Sequence, residues 1–185
     1  MVSKIKHSMG VLFLFDVKDS TKKVHSSNDV EQQIFYGLIK NGLQSVLSNI
    51  DYKIRIIKST GDGYYIFIED RPDIVLLFYV ELLNAFSNLN YKGSFLEIRC
   101  GACYGRIGII KKPSDIRGDL ANVVARCCAN AEINELVITE TLYSLISTST
   151  MISNLDILLT QLLDVNAKGC EDVKMWLVKK KLKKK

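Results

Sequence analysis

Apolar and polar residues fall in blocks along this chain, and the blocks differ in period. Gly10–Phe15 is an unbroken apolar run, GVLFLF, closed by Asp16, and it predicts a buried strand. Val17–Ser27 is mainly polar and reads as a loop. Asn28 or Asp29 then stands where a helix cap is wanted. From there Val30, Ile34 and Leu38, followed by Leu43, Val46, Leu47 and Ile50, repeat at helical spacing to about Asn49. Tyr52–Ser59 and Tyr64–Glu69 have strand character, with Thr60-Gly61-Asp62-Gly63 as the hairpin turn between them. Pro72 suits the first turn of a second helix reaching about Asn88.

The second half continues in shorter elements. Phe95–Tyr104 predicts a strand in which Leu96, Ile98 and Cys100 alternate with Glu97 and Arg99, and Arg106–Ile110 extends it. Lys111–Gly118, with Pro113, reads as a loop. Asp119–Ala131 is a short helix, Leu136–Thr139 a strand and Glu140–Ser147 a helix. Thr148–Leu159 matches no period. Leu162–Val165 and Lys174–Val178 read as a closing hairpin. The opening order of strand, helix, strand, strand, helix, strand is the split βαβ pattern. The fold class expected is therefore α+β: a ferredoxin-like βαββαβ core with additional C-terminal strands and helices. In that topology the first two strands are parallel and the third lies between them. The end of strand one then meets the hairpin joining strands two and three at one sheet edge.

Composition narrows the class. The chain has 185 residues, enough for one domain, and 48% hydrophobic with 24% charged residues excludes intrinsic disorder. No apolar run approaches the roughly 20 residues of a membrane span. Met1–Gly10 lacks the apolar stretch of a secretion signal, so a cytoplasmic location is expected. The net charge is +5, but six lysines (179, 180, 181, 183, 184 and 185) lie at the end, and without them it becomes −1. The expected division is a domain over 1–178 and a basic tail over 179–185. That tail is either a solvated end or a contact for nucleic acid or anionic lipid. Cys100-x-x-Cys103 has half the spacing of a zinc knuckle, yet no second pair completes it. The five cysteines therefore read as reduced, buried thiols.

The predicted topology brings two carboxylates together, Asp16 at the end of the first strand and Asp62 at the hairpin tip. Such a pair repels itself unless a cation joins it, and oxygen ligands of this kind suit Mg²⁺ or Mn²⁺. Gly61 and Gly63 permit a tight turn. The backbone of Val17–Thr21 and the hydroxyls of Ser20 and Thr21 suit phosphate oxygens. The alternative is a plain turn beside a plain strand end. Lys58 shares strand parity with Ile54 and Ile56, so an ammonium projects from an apolar face and either meets a ligand or snorkels to the edge. Asn122 and Arg126, four apart on the short helix, share a face suited to a phosphorylated ligand or simply to solvent.

Four segments together resemble the class III adenylate and guanylate cyclase catalytic domain, over about Val11–Val178. Leu12-Phe13-Leu14-Phe15-Asp16-Val17-Lys18-Asp19-Ser20-Thr21 is similar to its first metal-binding segment, and Lys58-Ser59-Thr60-Gly61-Asp62-Gly63-Tyr64-Tyr65 to its second. Asp115 through Arg126 follows the family's D-x-x-G-x-x-x-N-x-x-x-R pattern. Asn166-Ala167-Lys168-Gly169 resembles its late lysine-glycine turn. The resemblance implies cyclisation of a nucleoside triphosphate with release of pyrophosphate. It assigns two divalent ions, Mg²⁺ or Mn²⁺, to Asp16, Asp62 and the Val17 carbonyl. Lys58 and Asp115 would select adenine, Asn122 would orient the ribose, and Arg126 would stabilise transition-state charge. Lys168, with Ser20 and Thr21, would hold phosphates. It further implies a homodimer with sites between subunits, metals on one and Lys58, Asp115, Asn122 and Arg126 on the other.

The sequence departs from the family at Asp19, Ser20 and Arg117, and its loop before Asp115 is short, which bears on base selection more than on catalysis. ATP is the expected substrate. A stand-alone domain of this size also resembles the pyrimidine cyclases of bacterial anti-phage systems, which act on CTP or UTP. Thr60 and Gly63 break the motif of diguanylate cyclases. A non-catalytic nucleotide-binding module would be expected to lose one of the catalytic positions, and none is lost.

Overall fold

The computed structural model describes residues 5–25, 27–69, 71–111, 114–162 and 174–181. The GVLFLF run lies inside β1 (Ile5–Val17), whose side chains alternate between two cores. Val11, Phe13 and Phe15 enter one core while Leu12 and Leu14 enter the other. A strand covered on both faces reads as continuous apolar sequence, which is why its alternation is invisible from composition. After it come a short helix α1 (Ser20–His25), α2 (Asp29–Asn49), and the hairpin β2 (Ile54–Ser59) and β3 (Gly63–Glu69). Next are α3 (Ile74–Phe86), a small hairpin β4 (Asn90–Tyr91) and β5 (Ser94–Phe95), and the long β6 (Ile98–Lys111). The chain ends with β7 (Ser114–Arg117), α4 (Leu120–Ala129), β8 (Leu136–Thr139), α5 (Glu140–Ile146), α6 (Met151–Asn154), β9 (Ile157–Leu162) and β10 (Met175–Lys180).

The sheet order is β2-β3-β1-β6-β8-β10-β9, with β7 also paired to β6. β3 is antiparallel to both β1 and β2, so β1 and β2 run parallel with β3 between them, as the split βαβ reading requires. Helices α2 and α3 cover one face through Phe35, Ile39, Leu43, Phe78, Leu82 and Phe86. Helix α4 covers part of the other through Val124 and Cys128, against Leu12, Leu14, Phe67 and Cys103. At the start of α2, Asn28 accepts from the Glu31 N–H at 2.9 Å while Glu31 accepts from the Asn28 N–H at 3.0 Å, a reciprocal capping box.

Several boundaries move for physical reasons. β1 begins at Ile5 rather than Gly10, because its polar half pairs with β6 from Ile5↔Ile110 to Met9↔Arg106. The expected Val17–Ser27 loop contains α1, and the expected Lys111–Gly118 loop contains β7; both elements are too short to show a period. Val30 and Ile34 are 65% and 53% exposed, so the expected apolar stripe at the start of α2 is not its core face. Phe35 and Ile39 are buried instead. The unplaced segment after Thr148 supplies α6 and β9, and the closing hairpin pairs Ile157–Leu162 with β10. Residues 163–165 of the strand expected there lie outside the described residues. β10 continues to Lys180, and Lys179 pairs with Glu135, so the first lysines of the basic end belong to the sheet. No helix among the described residues is long and apolar enough to cross a membrane.

Candidate active site

The site grows from the end of β1. Asp16 pairs across the sheet with Gly63 of β3 on one side and with Arg99 of β6 on the other. The turn before β3 holds Asp62, whose carbonyl accepts from the Val17 N–H at 3.1 Å. This close approach explains Gly63: a Cβ there would lie 2.0 Å from the Phe15 carbonyl oxygen. Gly61 takes φ +99°, the left-handed backbone that glycine adopts without strain. The expected convergence of Asp16 and Asp62 is thus produced by strand register and by two glycines.

Burial raises the Asp16 carboxyl above the usual carboxylate range; the Arg99 hydrogen bond opposes the shift, and the nearby Asp62 carboxylate adds to it. Arg99 donates from Nε at 3.0 Å and Nη2 at 2.7 Å, both to Oδ2 of Asp16. Ser20 at the start of α1 donates its hydroxyl to Oδ2 of Asp62. Asp16, Asp62 and Arg99 line a cleft of about 230 Å³ together with Leu14, Thr60, Ala125, Cys128 and Ala129. The Val17 side chain is buried in the core, so only its backbone is available to a ligand. Thr21 is exposed on the first turn of α1.

The donor set fits Mg²⁺ or Mn²⁺. Two carboxylates sit together, one of them destabilised in its charged form by burial and by the other. Ions of this kind commonly bind through one or two carboxylates completed by water and substrate phosphates. Among the described residues no three His, Cys, Asp or Glu side chains converge. Cys100, Cys103, Cys127 and Cys128 are buried free thiols, and burial pushes Cys127 and Cys128 up to about 12. Cys170 lies outside the described residues.

Lys58 reaches the site side of the sheet by a route that parity did not predict. A bulge lies between Ile56 and Lys58, so Ile56 pairs with Ile66 but Lys58 pairs with Tyr65. Alternation carries Ile57 into the core on the face opposite Ile56, and the extra residue keeps Lys58 on the Tyr65 side instead of returning it to the face of Ile56. There its ammonium meets Asp115 of β7 at 3.0 Å. Both side chains are at least one-third exposed, so the pair stabilises the fold little.

Asn122 and Arg126 share the outward side of α4, whose inner side packs Val124, Cys127 and Cys128. Asn122 is exposed and Arg126 half-buried, with Nη1 buried and without a hydrogen-bond partner among the described residues. Neither lines the carboxylate cleft of its own chain. Lys168 lies outside the described residues. The structure therefore gathers Asp16, Asp62 and Ser20 in one group and Lys58 with Asp115 in a second, and leaves Asn122 exposed and Arg126 half-buried, both outside the carboxylate cleft. Arg99 is the residue that sequence reasoning passed over. Its alternation with Cys100 was the available signal, but its partner depends on which strand lies beside β6.

No protein-family model and no curated protein matches the chain. Solved structures do. The catalytic core of a rhodopsin-guanylyl cyclase with converted specificity, in complex with ATPalphaS, is similar with a TM-score of 0.82 at 16% identity, over 96% of this chain and 99% of that one. The guanylate cyclase domain of RhGC from Catenaria anguillulae, in complex with GTP, gives 0.78 at 16% identity, over 96% and 100%. An adenylate cyclase from Trypanosoma brucei in its monomeric state gives 0.76 at 20% identity, over 94% and 88%. The chain has the α+β fold of these cyclase catalytic domains.

Proposed function

We propose that this protein is a nucleotidyl cyclase that converts a nucleoside triphosphate, ATP in preference, to the 3′,5′-cyclic nucleotide and pyrophosphate. The observation that carries the reading is the convergence of Asp16 and Asp62 at one sheet edge, on a fold whose solved examples include adenylate and guanylate cyclases. Asp16, Asp62 and the Val17 carbonyl would hold two divalent ions, Mg²⁺ or Mn²⁺, which supply Lewis acidity to the ribose hydroxyl and neutralise the triphosphate. In the reaction the ribose 3′ oxygen loses its proton to water and forms a bond to the α-phosphorus. The bond from that phosphorus to the bridging oxygen breaks, and pyrophosphate departs.

Asn122 would orient the ribose and Arg126 would stabilise charge where it develops. Because neither lines the carboxylate cleft of its own chain, they would act on a nucleotide held by the metals of a second copy. That reading makes the active unit a homodimer with two sites. Ser20, Thr21 and Lys168 would contact the phosphates.

The Lys58–Asp115 pair offers one donor beside one acceptor. Adenine presents the complement, an acceptor ring nitrogen next to an amine. Cytosine presents the same edge, which makes CTP the chemically closest competitor and keeps a pyrimidine product, such as an anti-phage messenger, as the alternative. The test is incubation with ATP, GTP, CTP and UTP separately in Mn²⁺, with products separated and weighed by mass spectrometry. Cyclic AMP as the main product is expected. Absence of any cyclic product overturns the enzyme reading, and product from CTP or UTP alone overturns the adenine assignment.

A further inference from the structure

We infer that Arg99 is a positioning residue that withholds one oxygen of Asp16 from cations, so that the two metal ions load in order and the second arrives only when Arg99 is drawn away. The inference rests on the metal reading of Asp16 and Asp62 and goes beyond it. Its basis is which oxygen Arg99 occupies. Nε and Nη2 donate at 3.0 and 2.7 Å to the same atom, Oδ2, and neither reaches Oδ1. One cation can therefore bind Oδ1 of Asp16 together with Asp62 without disturbing Arg99. A second cation that took Oδ2 would have to displace two charge-assisted hydrogen bonds.

The surroundings make the contact a latch rather than a chance surface pair. Arg99 and Asp16 side chains are only 32% and 23% exposed, and they face each other directly in the β1–β6 register. The other charged group at the carboxylates is Asp62, already bonded by Ser20. With no cation present, two carboxylates share one guanidinium, which leaves a single uncompensated negative charge for the first ion. When the second ion takes Oδ2, Arg99 is released beside the cleft as a free cation. A polyphosphate is the group whose charge would hold it there. Metal and triphosphate binding are thereby coupled: each removes the obstacle to the other, which is positive linkage between two ligands.

The experiment measures Mn²⁺ binding to the full chain by calorimetry and by electron paramagnetic resonance, without turnover. Wild type is expected to bind one Mn²⁺ per chain readily and a second more weakly. Arg99→Gln is expected to strengthen both steps, because it removes a positive charge, and the second about tenfold more than the first, the low end of what a hydrogen bond to a charged group contributes. A general electrostatic role would move both steps alike, so equal strengthening overturns the inference, as does an unchanged or weakened second step. The α,β-methylene analogue of ATP is expected to strengthen the second Mn²⁺ step in wild type and much less in Arg99→Gln. An equal effect in both overturns the coupling. If Arg99→Gln does not fold, the wild-type Arg99 Nε resonance decides. It is expected to move on adding Mg²⁺ with the analogue and to stay in place with one equivalent of Mg²⁺ alone; movement with that single equivalent overturns the order. A chain that binds two ions this way but makes no cyclic product would sink the cyclase reading and leave the latch standing.

Discussion

Gly101 of β6 lies under α4, and replacing it with alanine tests how that helix is seated. A Cβ at Gly101 would lie 2.4 Å from the Cys128 nitrogen and 2.6 Å from the Val124 carbonyl oxygen. Both neighbours are backbone atoms of α4, so no side chain can swing aside. Restoring ordinary contact at 3.4 Å requires α4 and β6 to separate by about 1 Å. Overpacking of this kind costs roughly 1–3 kcal/mol, and with backbone on both sides the upper part of that range applies. For a chain of this size, about 2–3 kcal/mol lowers Tm by roughly 4–12 °C. Gly37→Ala is the control of opposite sign, because nothing lies within 4 Å of its Cβ and it sits inside α2. It should add about 0.5–1 kcal/mol. Urea and thermal unfolding followed by circular dichroism measure both. Helix α4 also carries Asn122 and Arg126, and a displacement of about 1 Å can cost on the order of a hundredfold in turnover. A Gly101→Ala protein with wild-type Tm and wild-type kcat would refute the close seating and its consequence for the site.

Three further outcomes are expected. In EDTA, Asp62→Asn should raise stability by roughly 0.5–1 kcal/mol, since it removes one of two neighbouring carboxylates, while turnover and the stabilisation added by Mn²⁺ are lost; a lower Tm than wild type in EDTA would count against the repulsion. Because burial holds the Asp16 carboxyl above its unfolded value, its contribution to metal-free stability is fully present below the unfolded carboxylate range and is lost as pH rises through the raised value. Urea midpoints in EDTA should fall over that rise in wild type and less in Asp16→Asn, and parallel curves would contradict the shift. Mixing Asp62→Asn chains with Arg126→Ala chains should restore about a quarter of wild-type activity, because half the random dimers are mixed and one of their two sites is intact. No recovery from a stably mixed population would exclude sites shared between copies.

Much of the fold was legible because its signals are local or periodic. The helix start at Asn28 or Asp29, the turn at Thr60–Gly63 and the strand–helix order through Gly105 specify their own geometry, and that order fixes where Asp16 and Asp62 meet. Elements without a period were not legible. Six residues of α1 and four of β7 form because neighbours hold them: Ser20 bonds Asp62, and β7 finds its register on Gly108–Lys111 of β6. Val30 and Ile34 show that an apolar stripe at helical spacing need not be the stripe that the sheet covers.

The sequence by itself determined which groups are present and, through the split βαβ order, which sheet edge the two carboxylates share. Tertiary structure decided which atoms those groups offer. One extra residue in β2 pairs Lys58 with Tyr65, and its ammonium meets Asp115, a change that alternation cannot signal because a bulge interrupts it. The placement of β6 beside β1 puts Arg99 on one oxygen of Asp16 and leaves the other open. Both are pairings between residues distant in the chain, and a pairing of that kind is set by strand register, which follows from the packing of the whole sheet rather than from the residues at either end.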